Sequence, residues 1–264
     1  MHPIERLRYV ARATHVPADV LARETAMALA DFVGDDAGLL IACRRILDRQ
    51  PASGALVWLA AHVLGSPNQR KALWDAVELL EEDSTQPALA YSLPDDAVVA
   101  AVGWADALST LARKRGDLEF VIIDTDGNAE YHIDRFIDDG QNIVTVDAEA
   151  IAQAVFGATH LLVSFDALGP EHGLAPIGSF PAAAVARHLG VPVWGIASIG
   201  VALNDRMYGG LTRRWNEQTT DSRYLREREE VPTTLVDQVV TTAGLITPEQ
   251  AVQAGGCPIV AELF

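Results

Sequence analysis

Between Leu161 and Ala197 the chain reads Leu161-Leu-Val-Ser164, a glycine-containing loop Gly169–Gly178, Phe180-Pro-Ala-Ala-Ala-Val-Ala-Arg-His-Leu189, and then Val193-Trp-Gly-Ile-Ala197. A short apolar run, a helical stretch and a second short apolar run form a β-α-β unit, and runs without polar alternation predict strands buried on both faces of a parallel sheet. The unit repeats on its N-terminal side. Val98–Val102, Phe120–Ile123 and Ile143–Val146 read as further strands, with Trp104–Lys114 and Ala148–Phe156 as crossover helices beside Phe180–Leu189. Alternating β and α predicts an α/β, doubly wound, mostly parallel Rossmann-like domain over residues 93–264. Such sheets bind ligands at the carboxyl ends of their strands. Here those ends are Gly103-Trp104, Asp124–Gly127, Asp147, Ser164–Asp166 and Ser198–Gly200.

Upstream the period is helical. Ala18–Val33, Ala37–Arg49, Ser53–Leu64 and Asn68–Glu82 carry apolar stripes and stop at Gly34, Gln50-Pro51, Gly65-Ser66-Pro67 and an acidic run. Residues 1–92 are therefore expected to form a helical N-terminal domain. Glu81-Glu82-Asp83 opposes the helix dipole and is expected to be exposed. Ser84–Pro94, with two prolines, reads as a connection. Downstream, Asn204–Glu230 holds six basic and six acidic residues and reads as a loop or exposed helix outside the core. Thr234–Ala243 and Pro248–Ala254 read as closing helices.

Composition narrows the function. Among 264 residues, 36 acidic against 20 basic side chains give a net charge of −16, which argues against direct nucleic-acid binding because phosphate backbones would be repelled. No run of eighteen apolar residues predicts a membrane span, and no apolar core follows the first charges to make a secretory signal, so a cytoplasmic location is expected. Cys43 and Cys257 form no paired or metal-binding pattern and are expected to be reduced. His62, His132, His160, His172 and His188 show no i, i+4 pair, so no metal site is expected. There is no GxGxxG after a strand, no P-loop, no HExxH and no GxSxG, so no bound cofactor is expected.

Two stretches carry chemistry. Phe120-Val-Ile-Ile-Asp124-Thr-Asp126-Gly127-Asn128 resembles the haloacid-dehalogenase phosphatase motif, which would make Asp124 the nucleophile and Asp126 the proton donor. Asn128 departs from that motif, and no lysine follows it: the only lysines are Lys71 and Lys114. The competing reading is an Asx turn after a strand.

The second stretch is Ala158–Ser179, in which an apolar strand ends at Asp166 and Ile177-Gly178-Ser179 opens a helix. With Glu230–Pro248 and the order of helical part before α/β part, it resembles the family of translation initiation factor 2B alpha, beta and delta subunits. That family includes methylthioribose-1-phosphate and ribose-1,5-bisphosphate isomerases. The resemblance implies that Asp166 is the catalytic carboxylate. It also implies a homodimer joined through the α/β domain. The departures fall on the other active positions. The isomerase cysteine corresponds to Gly103, the Asn-Lys pair to Ala175-Pro176, and the phosphate-holding Arg-Pro-Thr to Gln50-Pro51-Ala52. Isomerisation needs one group to take a proton and another to give it. The expectation is thus a degenerate pocket that binds a phosphorylated sugar or nucleotide in a regulatory role. The alternative is an aldose–ketose isomerase using Asp166 with Asp106 or His172 as partner. Around Asp166 the ligand would meet Gly103, Trp104, Asp106, His172 and Gly173. Gly178 and Ser179 would offer helix-terminal amides, and Gln50 would approach from the helical domain.

Overall fold

The computed structural model describes residues 18–127, 129, 133, 140–218 and 226–264. Among the described residues four helices come first: α1 (Ala18–Leu29), α2 (Asp36–Arg49), α3 (Gly54–Leu64) and α4 (Gln69–Glu81). A 3-10 turn at Ala30–Phe32 extends α1, and the chain leaves it at Gly34, whose φ of +101° suits glycine. Asp35, Ser53 and Asn68 each cap the helix that follows by accepting a backbone N–H. Nine of the eleven residues of α3 are buried, which makes it the centre of the helical layer. Glu81 and Glu82 are exposed, as expected, but Asp83 is tied down. Its carboxylate accepts from the Thr85 and Ile199 amides, at 2.8 and 2.9 Å.

The proline-containing connection is itself helical: α5 spans Thr85–Ser92. Pro87 sits in its first turn, where no helical N–H is lost. Leu89, Ala90 and Leu93 pack with Leu108, Leu111 and Val240, so α5 belongs to the core under the sheet.

The α/β part runs β1 (Val98–Val102), α6 (Asp106–Lys114), β2 (Glu119–Asp124), β3 (Asn142–Asp147), α7 (Ile151–Phe156) and β4 (His160–Ser164). It continues through β5 (Ala167–Leu168), β6 (His172–Pro176), α8 (Ser179–Leu189), β7 (Val193–Ile196) and α9 (Asp205–Gln218). β8 (Arg228–Pro232), β9 (Gln238–Thr241), β10 (Gly244–Ile246) and α10 (Pro248–Ala254) complete it. Seven strands lie in the order β10-β9-β7-β4-β1-β2-β3, parallel except for β10. Successive β1 side chains alternate between the two layers: Val99 and Ala101 enter one core, Ala100 and Val102 the other. The five strands read from apolar runs and the three crossover helices are all present, within three residues of their expected bounds; the largest difference is at α7, whose first three expected residues, Ala148–Ala150, form a 3-10 turn.

Three expectations are corrected. Thr234–Ala243 is not a helix but a 3-10 turn (Thr233–Leu235) followed by β9. Its β-branched Val239 and Val240 are fully buried beside β7, where they fit a strand. The glycine-containing loop Gly169–Gly178 is largely sheet: β5 and β6 pair antiparallel, and β6 pairs antiparallel with β8. Asn204–Glu230 does contribute to the core. Met207, Tyr208, Leu211 and Trp215 form a buried stripe on α9 that packs into the helical layer. The polar residues that dominated the segment's composition occupy its other face.

Candidate functional site

From β1 the chain builds the sheet outward through β2 and β3, then crosses back to lay β4 on β1's other side. The strand order therefore reverses between β1 and β4, and in sheets of this kind ligands bind beyond the carboxyl ends at such a reversal. Val102-Gly103 and Ser164-Phe165-Asp166 stand at those ends. The helical layer closes onto them through the start of α3. The Gly54 amide donates to the Asp166 carbonyl at 2.8 Å. A Cβ at Gly54 would lie 2.8 Å from the Asp166 carbonyl oxygen and 3.0 Å from that of Val201, so only glycine permits this approach. Gln50, at the end of α2, accepts from the Ser53 amide at 3.2 Å and so lies beside this contact.

Asp166 is paired. Arg228 Nε donates to its Oδ2 at 2.5 Å. Asp166 precedes β5 and Arg228 opens β8, with β6 between them, so the pair bridges the end of β6. In register, Arg228 stands opposite Pro176. Asp166 raises the Arg228 pKa further above its ordinary value, with smaller support from Glu227 and Asp126, so the guanidinium stays charged. Both partners are about one-third exposed, at 35% and 34%. Nothing in the sequence singled out Arg228, which lies 62 residues from its partner inside a mixed-charge run.

The helix after β6 is anchored tightly. Gly178 has φ +95°, and a Cβ there would meet Thr125 at 2.8 Å and Val102 at 3.4 Å. This contact brings the start of α8 against the ends of β1 and β2. Ser179 is buried. The helix terminus already holds an anion: the Phe180 amide donates to Glu229 Oε1 at 2.8 Å. The Ile177 amide donates to the Glu227 carbonyl at 2.9 Å, and Pro181 has no N–H to offer. Arg228 and the Glu229 carboxylate were both missed from sequence because neither belongs to the local motif.

The other expected residues divide by position. Gly103, with φ +66°, donates its amide to Ile123 and turns the chain at the rim. Trp104 sends its indole N–H to Ser109 at 2.8 Å and sets its ring edge-on to Phe120. Asp106 is exposed in the first turn of α6, where the helix dipole favours it. Gly173 makes room for Phe165: a Cβ there would lie 2.3 Å from the ring, and one at Gly195 would lie 2.6 Å away. His172 opens β6, two residues from Leu174, whose carbonyl accepts from the Asp166 amide at 2.8 Å. Strand rise places it about 7 Å farther along.

Asp124 is engaged as an Asx turn. Its Oδ1 accepts from the Asp126 and Gly127 amides, at 3.2 and 2.8 Å, and its Oδ2 from Ala129 at 3.3 Å. Both oxygens thus hold the turn after β2, which is the Asx-turn reading. Asn128 and His132 lie outside the described residues. Among the described residues no three His, Cys, Asp or Glu side chains are grouped to hold a metal ion, and no helix is long and apolar enough to cross a membrane.

Compared by sequence, the chain matches no family model and no curated protein. Compared by structure, it is similar to translation initiation factor eIF-2B from Pyrococcus horikoshii OT3, with a TM-score of 0.73 and 15% identity over 95% of this chain and 98% of that one. It is also similar to a chain of the tetrameric eIF2B-beta2-delta2 complex from C. thermophilum, with a TM-score of 0.71 and 16% identity over 95% of this chain and 92% of that one. The 5-methylthioribose 1-phosphate isomerase of Pyrococcus horikoshii OT3 matches with a TM-score of 0.64 and 15% identity over 95% and 86%. The fold implied by the Ala158–Ser179 resemblance is thus the fold observed: a helical N-terminal part and an eIF2B-like α/β part.

Proposed function

We propose that this chain is a divergent initiation-factor-2B-like protein whose isomerase crevice is degenerate. In this reading it binds a phosphorylated sugar or nucleotide without converting it, and acts in regulation as a cytoplasmic homodimer joined through the α/β part. The observation that carries the reading is the Asp166–Arg228 pair at 2.5 Å. Aldose–ketose isomerisation shuttles a proton between neighbouring carbons and needs a base free to take it and an acid placed to return it. A carboxylate oxygen that accepts from a guanidinium is engaged with that cation and is not presented to a substrate carbon. None of the three expected partners is placed to act as the acid. Gly103 has no side chain, Asp106 faces solvent and His172 lies along β6 away from Asp166. Binding asks less of the crevice than turnover does: amide donors and one cation suffice to hold a phosphate.

The test pairs a binding and a turnover measurement on the full chain. Calorimetry with ribose 5-phosphate is expected to give binding between micromolar and millimolar. Incubation with 5-methylthioribose 1-phosphate, followed by NMR, is expected to give no ketose product. Steady turnover that disappears in Asp166→Asn would refute the reading in favour of an isomerase.

A further inference from the structure

The amino ends of the strands, at the other end of the sheet from Asp166, hold a second concavity. His160 opens β4, Trp194 stands second in β7 and Gln238 opens β9, and these three strands are adjacent. His160 lies two residues before Leu162 and shares its face; Leu162 is in register with Trp194, and Trp194 with Gln238. The three side chains therefore meet on one face, where they line a recess of about 600 Å³. Arg187, in the last turn of α8, and the turn Gly190–Pro192 supply the wall on the side of α8.

The recess contains two polar ring atoms that the protein leaves unused. His160 and Trp194 are each 8% exposed, with ring centroids 4.6 Å apart and ring planes at 63°. The Thr159 hydroxyl gives its one proton to the Val98 carbonyl at 3.0 Å, so it accepts from His160 Nδ1 at 3.1 Å. This assigns the imidazole proton to Nδ1 and leaves Nε2 as an acceptor. Burial lowers the His160 pKa below the ordinary histidine value, which keeps the ring neutral at pH 7. Among the described residues neither Nε2 nor the Trp194 indole N–H has a hydrogen-bond partner, and neither is fully enclosed, so both open to the recess. Polar atoms on side chains so deeply buried are costly until they are paired. The two formal charges in the lining offset each other: Asp237 accepts from Arg187 at 2.9 Å and, with its other oxygen, from the Val193 amide at 2.8 Å. The recess thus asks for a neutral ligand that brings a donor and an acceptor side by side.

We infer that this recess is a binding site for a neutral planar heterocycle of the nucleobase class, held by its edge: a ligand N–H donates to His160 Nε2, and the neighbouring ligand acceptor takes the Trp194 indole N–H. The adenine edge carries this pattern, an amino N–H beside the ring nitrogen N7. Gln238, whose side-chain amide also has no partner among the described residues, can donate or accept and extends the same edge. The site is separate from Asp166 and requires no phosphate, so it stands or falls independently of the function proposed above.

The experiment is a proton–nitrogen NMR titration of the full chain with adenine and with N6,N6-dimethyladenine, which keeps the ring and lacks the amino N–H. The chain has five tryptophans, and Trp194→Phe identifies which indole signal belongs to Trp194. Adenine is expected to shift that signal with a Kd of about 1 mM or tighter. The dimethyl probe is expected to bind roughly tenfold more weakly, because it brings no donor to Nε2. His160→Phe keeps an aromatic ring and removes the acceptor, and is expected to weaken adenine binding by the same factor of roughly ten. A Trp194 signal that does not move with adenine at about 5 mM, well above the expected Kd, would overturn the inference. Equal affinity for the two probes, or for adenine in wild type and His160→Phe, would overturn it as well. If His160→Phe fails to fold, the comparison of the two probes on the wild-type chain decides alone.

Discussion

Gly54→Ala puts one methyl group where the helical layer meets the crevice. The added carbon would stand 2.8 Å from the Asp166 carbonyl oxygen, 3.0 Å from the Val201 carbonyl oxygen and 3.1 Å from Ala167 Cα. All three are backbone atoms of the strand-end segments, so none can rotate away. Relief requires α3 to back off, which stretches the 2.8 Å bond from the Gly54 amide to Asp166. Overpacking of this kind costs about 1–3 kcal/mol. Loss of glycine's freedom in the unfolded chain returns about 0.4–1 kcal/mol. The net destabilisation is therefore about 1–2 kcal/mol. At about 2.1 cal/mol/K per residue over 264 residues the unfolding entropy is about 0.55 kcal/mol/K, so the midpoint falls by about 2–4 °C. Gly209→Ala is the control. It lies within α9, exposed, with nothing within 4 Å of an added Cβ, so helix propensity alone acts and the midpoint rises by about 1–2 °C. Scanning calorimetry of the two variants beside wild type gives both signs. A Gly54→Ala midpoint equal to or above that of wild type would refute the close approach of α3 to Asp166.

Two further outcomes are expected. Burial lowers the pKa of His62 and of His160 below the ordinary histidine value, against a smaller opposing effect from the Trp58 carbonyl at His62. The unfolded chain then binds more protons below about pH 6.5, so stability is lost as pH falls through that region. Urea midpoints should decline from pH 7.5 to 5.5, and the decline should shrink in His62→Gln/His160→Gln; an equal decline in the variant would contradict the assignment. Burial also pushes both thiols, Cys43 and Cys257, up to about 12. Only about one in ten thousand is thiolate at pH 8, so Ellman's reagent should leave the folded chain unreacted and find two thiols after denaturation. Fast reaction of either cysteine in the folded chain would contradict this.

What could be read from the sequence follows from where each interaction is encoded. β1, β2, β4 and β7 are apolar runs inside a parallel sheet covered on both faces, and that signal is local; β3 keeps the apolar run at the sheet's edge, where Val144 is exposed. β5 has two residues, and β6 contains a glycine and ends at Pro176. Their strand character comes from pairing with each other and with β8, more than fifty residues onward. The Val236–Val240 spacing fits a helical stripe as well as a strand, and only the open edge of β7 resolves it. The site divides the same way. Asp166 was legible as a carboxylate at a strand end, and Gly178 as the turn before a helix. The groups that decide their chemistry, Arg228 and Glu229, come from β8 and carry no local spacing to find them by.

That division bears on how a retained carboxylate should be weighed. An aspartate at the end of a parallel strand is defined chemically by what shares its two oxygens. Here Oδ2 of Asp166 accepts from the Arg228 guanidinium, which makes it the counter-ion of a fixed cation. Pro176 ends β6 without a charge, and the cation beside Asp166 arrives from β8 flanked by Glu227 and Glu229. The resulting group has one positive charge against the three carboxylates of Asp166, Glu227 and Glu229. So composed, the group offers an entering anion no net positive charge, and Asp166 stands in it as a counter-ion.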